Sequence, residues 1–292
     1  MLSDAAQTAI GTALALAAAA AFGTSSVLQY RATHRVPEEP AGRPTLLLEL
    51  LRRRNWRWSI LLAMVAFGLQ AAALKVIPLI MVQPLLVTGL MWYVLLSAAL
   101  EHTRPDRAIV LESTLCLLSI SAFLLLAQPG AGQGRGLDSA WDAVSLGAFV
   151  VGGVAACLLA AAGLGSRWRP LPLALAAGLC YGVTAGLISS LLHQSGQGLT
   201  AVPGHWQLYA IILLGPAGVL LSQNSYQAGP LGAPALATIT VTDPLVAIGM
   251  GLLWLDERIK TDLWHAVGEV VALGALVVGV FMLAKRAPHV KA

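Results

Sequence analysis

An acid and an amide each stand directly before a proline in this chain, deep within apolar sequence. Asp243-Pro244-Leu245 lies in the stretch Thr242–Gly249, and Gln83-Pro84-Leu85 lies in Val82–Gly89. Both stretches run polar, Pro, Leu, aliphatic, with a closing glycine. A proline inside a helix offers no N–H to the carbonyl four residues back, so the helix kinks. A titratable or amide side chain beside such a break, at membrane depth, suits the holding of an ion or a polar solute. The competing reading is a tolerated kink whose polar group bonds to a neighbour, which for Asp243 would be Gln83 or Thr242. Asp243 falls near the middle of its apolar run, where a bare carboxylate costs about 3 kcal/mol or more. A carried proton or a bound cation would relieve that cost.

Other groups able to do chemistry are sparse. Glu112 and Glu269 lie one to two turns inside their apolar runs. They read either as relay carboxylates toward opposite faces or as headgroup-level residues near helix ends. Gln70, Gln223, Asn224 and Tyr226 either line a polar path or bridge helices. Ser25, Ser26, Gln29 and Tyr30, at the end of the first apolar run, read as interfacial. His193 and His205 do not form a metal-binding spacing, and whether any metal is bound is left open. Cys116, Cys157 and Cys180 fall within apolar runs and read as small core residues. There is no Gly-x-Ser-x-Gly, no His-Glu-x-x-His and no nucleotide-binding loop, so neither an enzyme nor a primary pump is suggested and no cofactor is implied.

The elements that position these residues follow from composition. The chain has 292 residues, of which 57% are hydrophobic and 11% charged. A soluble chain carries about 25% charge, so a polytopic membrane protein is expected, all-α, with room for roughly nine or ten spans. Nine are expected, at about 5–28, 57–74, 78–99, 108–127, 143–165, 170–192, 206–227, 231–255 and 264–284. The basic first loop, residues 29–56, carries Arg52-Arg53-Arg54, which suits anionic lipid headgroups, and a short surface helix is expected around Leu46–Leu51. With the N-terminus outside, only Lys75, Arg135, Arg258 and Lys260 of the 18 basic residues lie outside. The other basic residues lie in cytoplasmic segments, as the positive-inside rule requires. That places the C-terminus in the cytoplasm of a cell bearing the protein in its inner or plasma membrane. The net charge of +4 resides in loops and does not indicate nucleic acid. Small-residue pairs such as Gly182 and Gly186 allow close helix packing, and a homodimer is compatible with it.

Spans one to four match six to nine in order. Ala20-Ala21-Phe22-Gly23 resembles Leu179-Cys180-Tyr181-Gly182, Gln70 answers Gln223-Asn224, the Pro-Leu stretches occupy spans three and eight, and Glu112 answers Glu269. Corresponding spans are five apart, an odd number, so the two four-helix repeats are expected to be inverted, joined by one linking helix. The resulting organisation is a first repeat at 1–128, a Gly-rich loop and linking span at 129–169, and a second repeat at 170–292.

The run from Pro234-Ala235-Leu236-Ala237 through Asp243-Pro244-Leu245 to Leu255-Asp256-Glu257-Arg258, followed by a span with Gly268, Gly274 and Gly279, resembles the EamA-type repeat of the drug/metabolite transporter superfamily. The nine-span layout is more similar to the NIPA-type magnesium-transporter branch. One departure is that Glu101-His102 follows Pro84 by more residues than Glu257 follows Pro244. The resemblance implies a secondary transporter of a small solute working by alternating access, with a divalent-cation permease as the alternative. A membrane subunit without transport activity is the third reading.

Overall fold

The computed structural model describes residues 4–33, 50–100, 107–127, 137, 139–164, 168–194, 203–227, 232–257 and 262–286. Glu101-His102, the Gly-rich stretch 128–136 and most of the basic first loop lie outside the described residues. Among those described there are nine long helices: α1 (Asp4–Thr33), α2 (Arg54–Leu74), α3 (Leu79–Leu100), α4 (Arg107–Ala127), α5 (Ala140–Gly163), α6 (Pro170–Gln194), α7 (Trp206–Gln227), α8 (Gly232–Leu253) and α9 (Leu263–Arg286). Seven of them, all but α4 and α8, are long and apolar enough to cross a membrane. The other two contribute shorter apolar stretches, Thr114–Ala127 and Thr238–Leu253. In α4 the charges of Arg107 and Glu112 occupy the first two turns, which leaves only the remainder uninterrupted. Of the expected surface helix around Leu46–Leu51, the described part is a helical turn at 50–52. Its Leu50 is buried against Ala32 and Trp56 rather than lying free on a surface.

The outside of the bundle is apolar. Trp141, Val151 and Leu159 on α5 and Val270 on α9 are each more than two-thirds exposed, which suits lipid. Inside, packing repeats itself. α1 lies against α2 and α3, and α6 lies against α7 and α8; α4 pairs with α9, α3 crosses α8, and α5 packs chiefly on α6. Between membrane helices no hydrophobic drive exists, so close backbone approach through small residues has to supply the attraction. The stretches matched in the sequence do that job in both halves. A Cβ on Gly23 would stand 2.3 Å from the Gly89 carbonyl of α3, and a Cβ on Gly182 would stand 2.5 Å from the Asp243 carbonyl of α8.

The two prolines are not in matching places. Pro84 is the sixth residue of α3 and Pro244 the thirteenth of α8. Gly23 accordingly meets α3 at Gly89, Trp92 and Tyr93, well after its proline, while Gly182 meets α8 at Asp243, Val246 and Ala247, astride its own. The prolines nevertheless converge, because α8 ends where α3 begins and the helices cross. Pro84 and Pro244 border one narrow apolar space between α3, α8 and α9.

Candidate functional site

Beside that crossing is a cavity of about 160 Å3 lined by α1, α2, α3, α6, α7 and α8. Its polar groups include Gln83 from α3, Asp243 and Thr240 from α8, Gln70 from α2 and Ser222 from α7. Its walls are aromatic. Tyr93, Tyr181 and Tyr226 line it, and Tyr30 stands edge-on to Tyr93 and Tyr226 with centroids 6.4 and 6.3 Å apart. Phe22 and Phe67 close another side edge-to-face at 4.9 Å. Four of the chain's five tyrosines therefore gather here.

Most of the polar side chains around the cavity are tied down by one another. Gln223 donates to Gln29 Oε1 at 2.7 Å, Gln29 donates to Ser25 Oγ at 2.9 Å, and Ser25 donates to the Ser59 carbonyl at 2.8 Å. This chain joins α7 to α1 and α1 to α2. Ser222 gives its hydroxyl hydrogen to the Val219 carbonyl, so Tyr181 is the donor in the 3.1 Å contact between Tyr181 Oη and Ser222 Oγ. Asn224 donates to Leu220 O at 2.7 Å, within its own helix.

Two groups are not tied. Gln83 is fully buried, and neither its amide nitrogen nor its amide oxygen has a hydrogen-bond partner. Asp243 Oδ1 has none either, so the bond to Gln83 that a purely structural carboxyl would make is not formed. Each buried polar atom without a partner costs about 1–3 kcal/mol. Both groups border the same hollow, beside the helix breaks at Pro84 and Pro244. A ligand that donates to Asp243, and both accepts from and donates to Gln83, would satisfy them.

The structure thus brings together Asp243, Gln83, Gln70 and Tyr226, with Gln223 behind Gln29 and Asn224 buried beside it. It separates Glu112 and Glu269 from them. Both are buried, on α4 and α9, and neither borders the cavity; Asp243 is its one carboxylate. Among the described residues no three His, Cys, Asp or Glu side chains come together as a metal site. α1 continues to Thr33, about a turn beyond the expected span; near its end Ser25, Ser26 and Gln29 line the cavity and Tyr30 joins its aromatic ring.

Apolar helices of this length and number define a polytopic α-helical membrane protein. No family model matches the chain, and no solved structure does. An uncharacterized protein of Corynebacterium glutamicum is 30% identical over 276 residues, covering 93% of both chains. The chain belongs to one family with that corynebacterial protein.

Proposed function

We propose that the protein is a secondary transporter of the drug/metabolite type. In this reading it moves a small organic solute through the central cavity by rocking two inverted repeats, 1–128 and 170–292, about the α3–α8 crossing. The observation that carries the reading is a fully buried glutamine with no partner for its amide, and a carboxylate oxygen equally unpartnered, both lining an aromatic-walled hollow between α1–α3 and α6–α8. Asp243 and Gln83 are the solute-binding groups, Gln70 adds a polar contact, and Tyr93, Tyr181 and Tyr226 supply the apolar walls. One carboxylate among tyrosine rings suits a solute with a single positive charge or a strong donor on an apolar body. A magnesium ion asks for about six oxygens in octahedral array, whereas the cavity offers one carboxylate. The positive-inside count supports an outside N-terminus and a cytoplasmic C-terminus.

Flux into proteoliposomes tests this directly. Wild-type protein and Asp243→Asn would be compared on a panel of small organic amines and, in parallel, on magnesium with an internal dye. Amine uptake lost in the mutant is expected. Magnesium entry that Asp243→Asn abolishes, with no amine uptake, would replace the organic-solute reading by a divalent-cation permease. Movement of neither by folded protein would sink the transport reading.

A further inference from the structure

One end of the cavity is held shut by groups that do not line it. Toward the other end lie the wall residues Ser26 and Gln29, both partly exposed. Toward the α2–α3 and α8–α9 turns, Leu74, Leu79, Ile80 and Met250 are almost wholly buried and fill the bundle. Across this plug runs a polar link between the halves. After α8 the chain turns back on itself: Leu255 N–H donates to Met250 O at 3.1 Å, Asp256 takes a positive φ of 53°, and Glu257 N–H donates to Gly251 O at 2.9 Å. The turn lays the Glu257 side chain over Gly251, where a Cβ would stand 2.7 Å from Glu257 Oε2. The carboxylate then reaches α3, accepting from Leu79 N–H at Oε1 (2.8 Å) and from Ile80 N–H at Oε2 (2.9 Å).

Those two amides belong to the first turn of α3, where a helix has no internal acceptors for its N–H groups and where its dipole favours negative charge. Burial nevertheless pushes the Glu257 carboxyl above its ordinary range, against the pull of the Ile80 and Leu79 amides and of His193. Desolvation and hydrogen bonding thus oppose each other, and water could serve both partners after release. The turn they fasten is a short one. It runs from Leu79 to Gln83 and ends at Pro84, which gives no N–H to the Ile80 carbonyl. Gln83, on the cavity wall, is one turn from the fastened amides.

We propose that Glu257 is the latch of the closed gate: its carboxylate bridges the end of α8 to the first turn of α3, and it must leave the Leu79 and Ile80 amides before the cavity can open on that side. The turn Leu79–Gln83 then swings on Pro84. This rests on the reading of the cavity as alternately exposed, but it assigns a role to a residue outside the binding site.

The test needs no knowledge of the solute. In a background with Cys116, Cys157 and Cys180 changed to alanine, Leu86→Cys on the cavity wall reports access to a charged, membrane-impermeant thiol reagent. The reagent is applied to sealed vesicles of each orientation. The parent should label slowly from the latch side. Glu257→Gln, which leaves one good acceptor in place of two, and Gly251→Ala, which displaces the carboxylate, should each raise that rate by about tenfold or more, as expected for loss of hydrogen bonds to a charged group. Rates from the latch side unchanged in folded variants would overturn the proposal. So would loss of the fold in both variants, which would make Glu257 a structural cap; if one alone fails to fold, the other decides. Labelling that switches in protein moving no solute would keep the latch and sink the transport reading, and flux with unswitched labelling would do the reverse.

Discussion

Two buried glutamines should respond to the same substitution with opposite signs. Gln83→Leu removes an amide whose nitrogen and oxygen both lack partners in a fully buried position. Leucine is close in volume, so the cavity term is small, and relief of even one unpartnered polar atom is worth about 1–3 kcal/mol. We predict a protein more stable than the parent and inactive in transport, a trade that binding sites commonly show. Gln223→Leu removes a donor 2.7 Å from Gln29 Oε1 and breaks the chain linking α7 to α1 and α2. It leaves a polar atom behind, so a loss of about 1–3 kcal/mol is expected. Thermal unfolding of both variants in one detergent, followed by circular dichroism, resolves the contrast, since each kcal/mol moves Tm by about 2–4 °C in a chain approaching this size. A fall in Tm for Gln83→Leu as large as that for Gln223→Leu would refute the reasoning. It would mean that the Gln83 amide is engaged by the protein and not kept for a solute.

Further predictions can be checked in the same assays. Gly23→Val should force α1 from α3, because a Cβ already meets the Gly89 carbonyl at 2.3 Å; overpacking of this kind costs about 1–3 kcal/mol, read as a lowered Tm. Tyr181→Phe should remove the hydrogen bond to Ser222, lowering stability by about 1 kcal/mol and weakening apparent solute affinity; unchanged flux at low solute concentration would remove Tyr181 from the wall's working surface. Ser139→Ala should abolish the capping box with Asp142 at the start of α5, costing about 1 kcal/mol and leaving flux intact, since α5 does not border the cavity.

The helices were legible because long apolar runs between charged segments leave little choice of structure. Among the described residues nine helices fall near the expected positions, seven of them long and apolar enough to cross a membrane, and neither Pro84 nor Pro244 lies at a helix end. Asp243 and Gln83 stood out because a polar residue beside such a break is rare at that depth. What the sequence could not reveal depended on contacts between distant residues. Glu257 caps amides 178 and 177 positions away, and no local pattern announces such a partner. The tyrosine ring draws on four helices, so its convergence is a product of packing. The grouping of Glu112 and Glu269 with Asp243 rested on their shared rarity, and rarity does not fix the face on which a residue sits. Matching the Pro-Leu stretches letter by letter also hid an offset of nearly two turns between the copies.

That offset bears on kinetics. For a carrier that alternates between its two halves, end states of equal energy and equal affinity would follow most simply from two breaks at equal depth. Here the proline of one helix lies near its beginning and that of the other past its middle. In a carrier of the proposed kind, the conformations open to the two sides of the membrane would then not be equivalent, and each would present the solute with a differently shaped pocket. Half-saturation concentrations for influx and efflux should therefore differ. Maximal rates must differ in the same proportion, since a carrier with no energy input cannot favour one side at equilibrium.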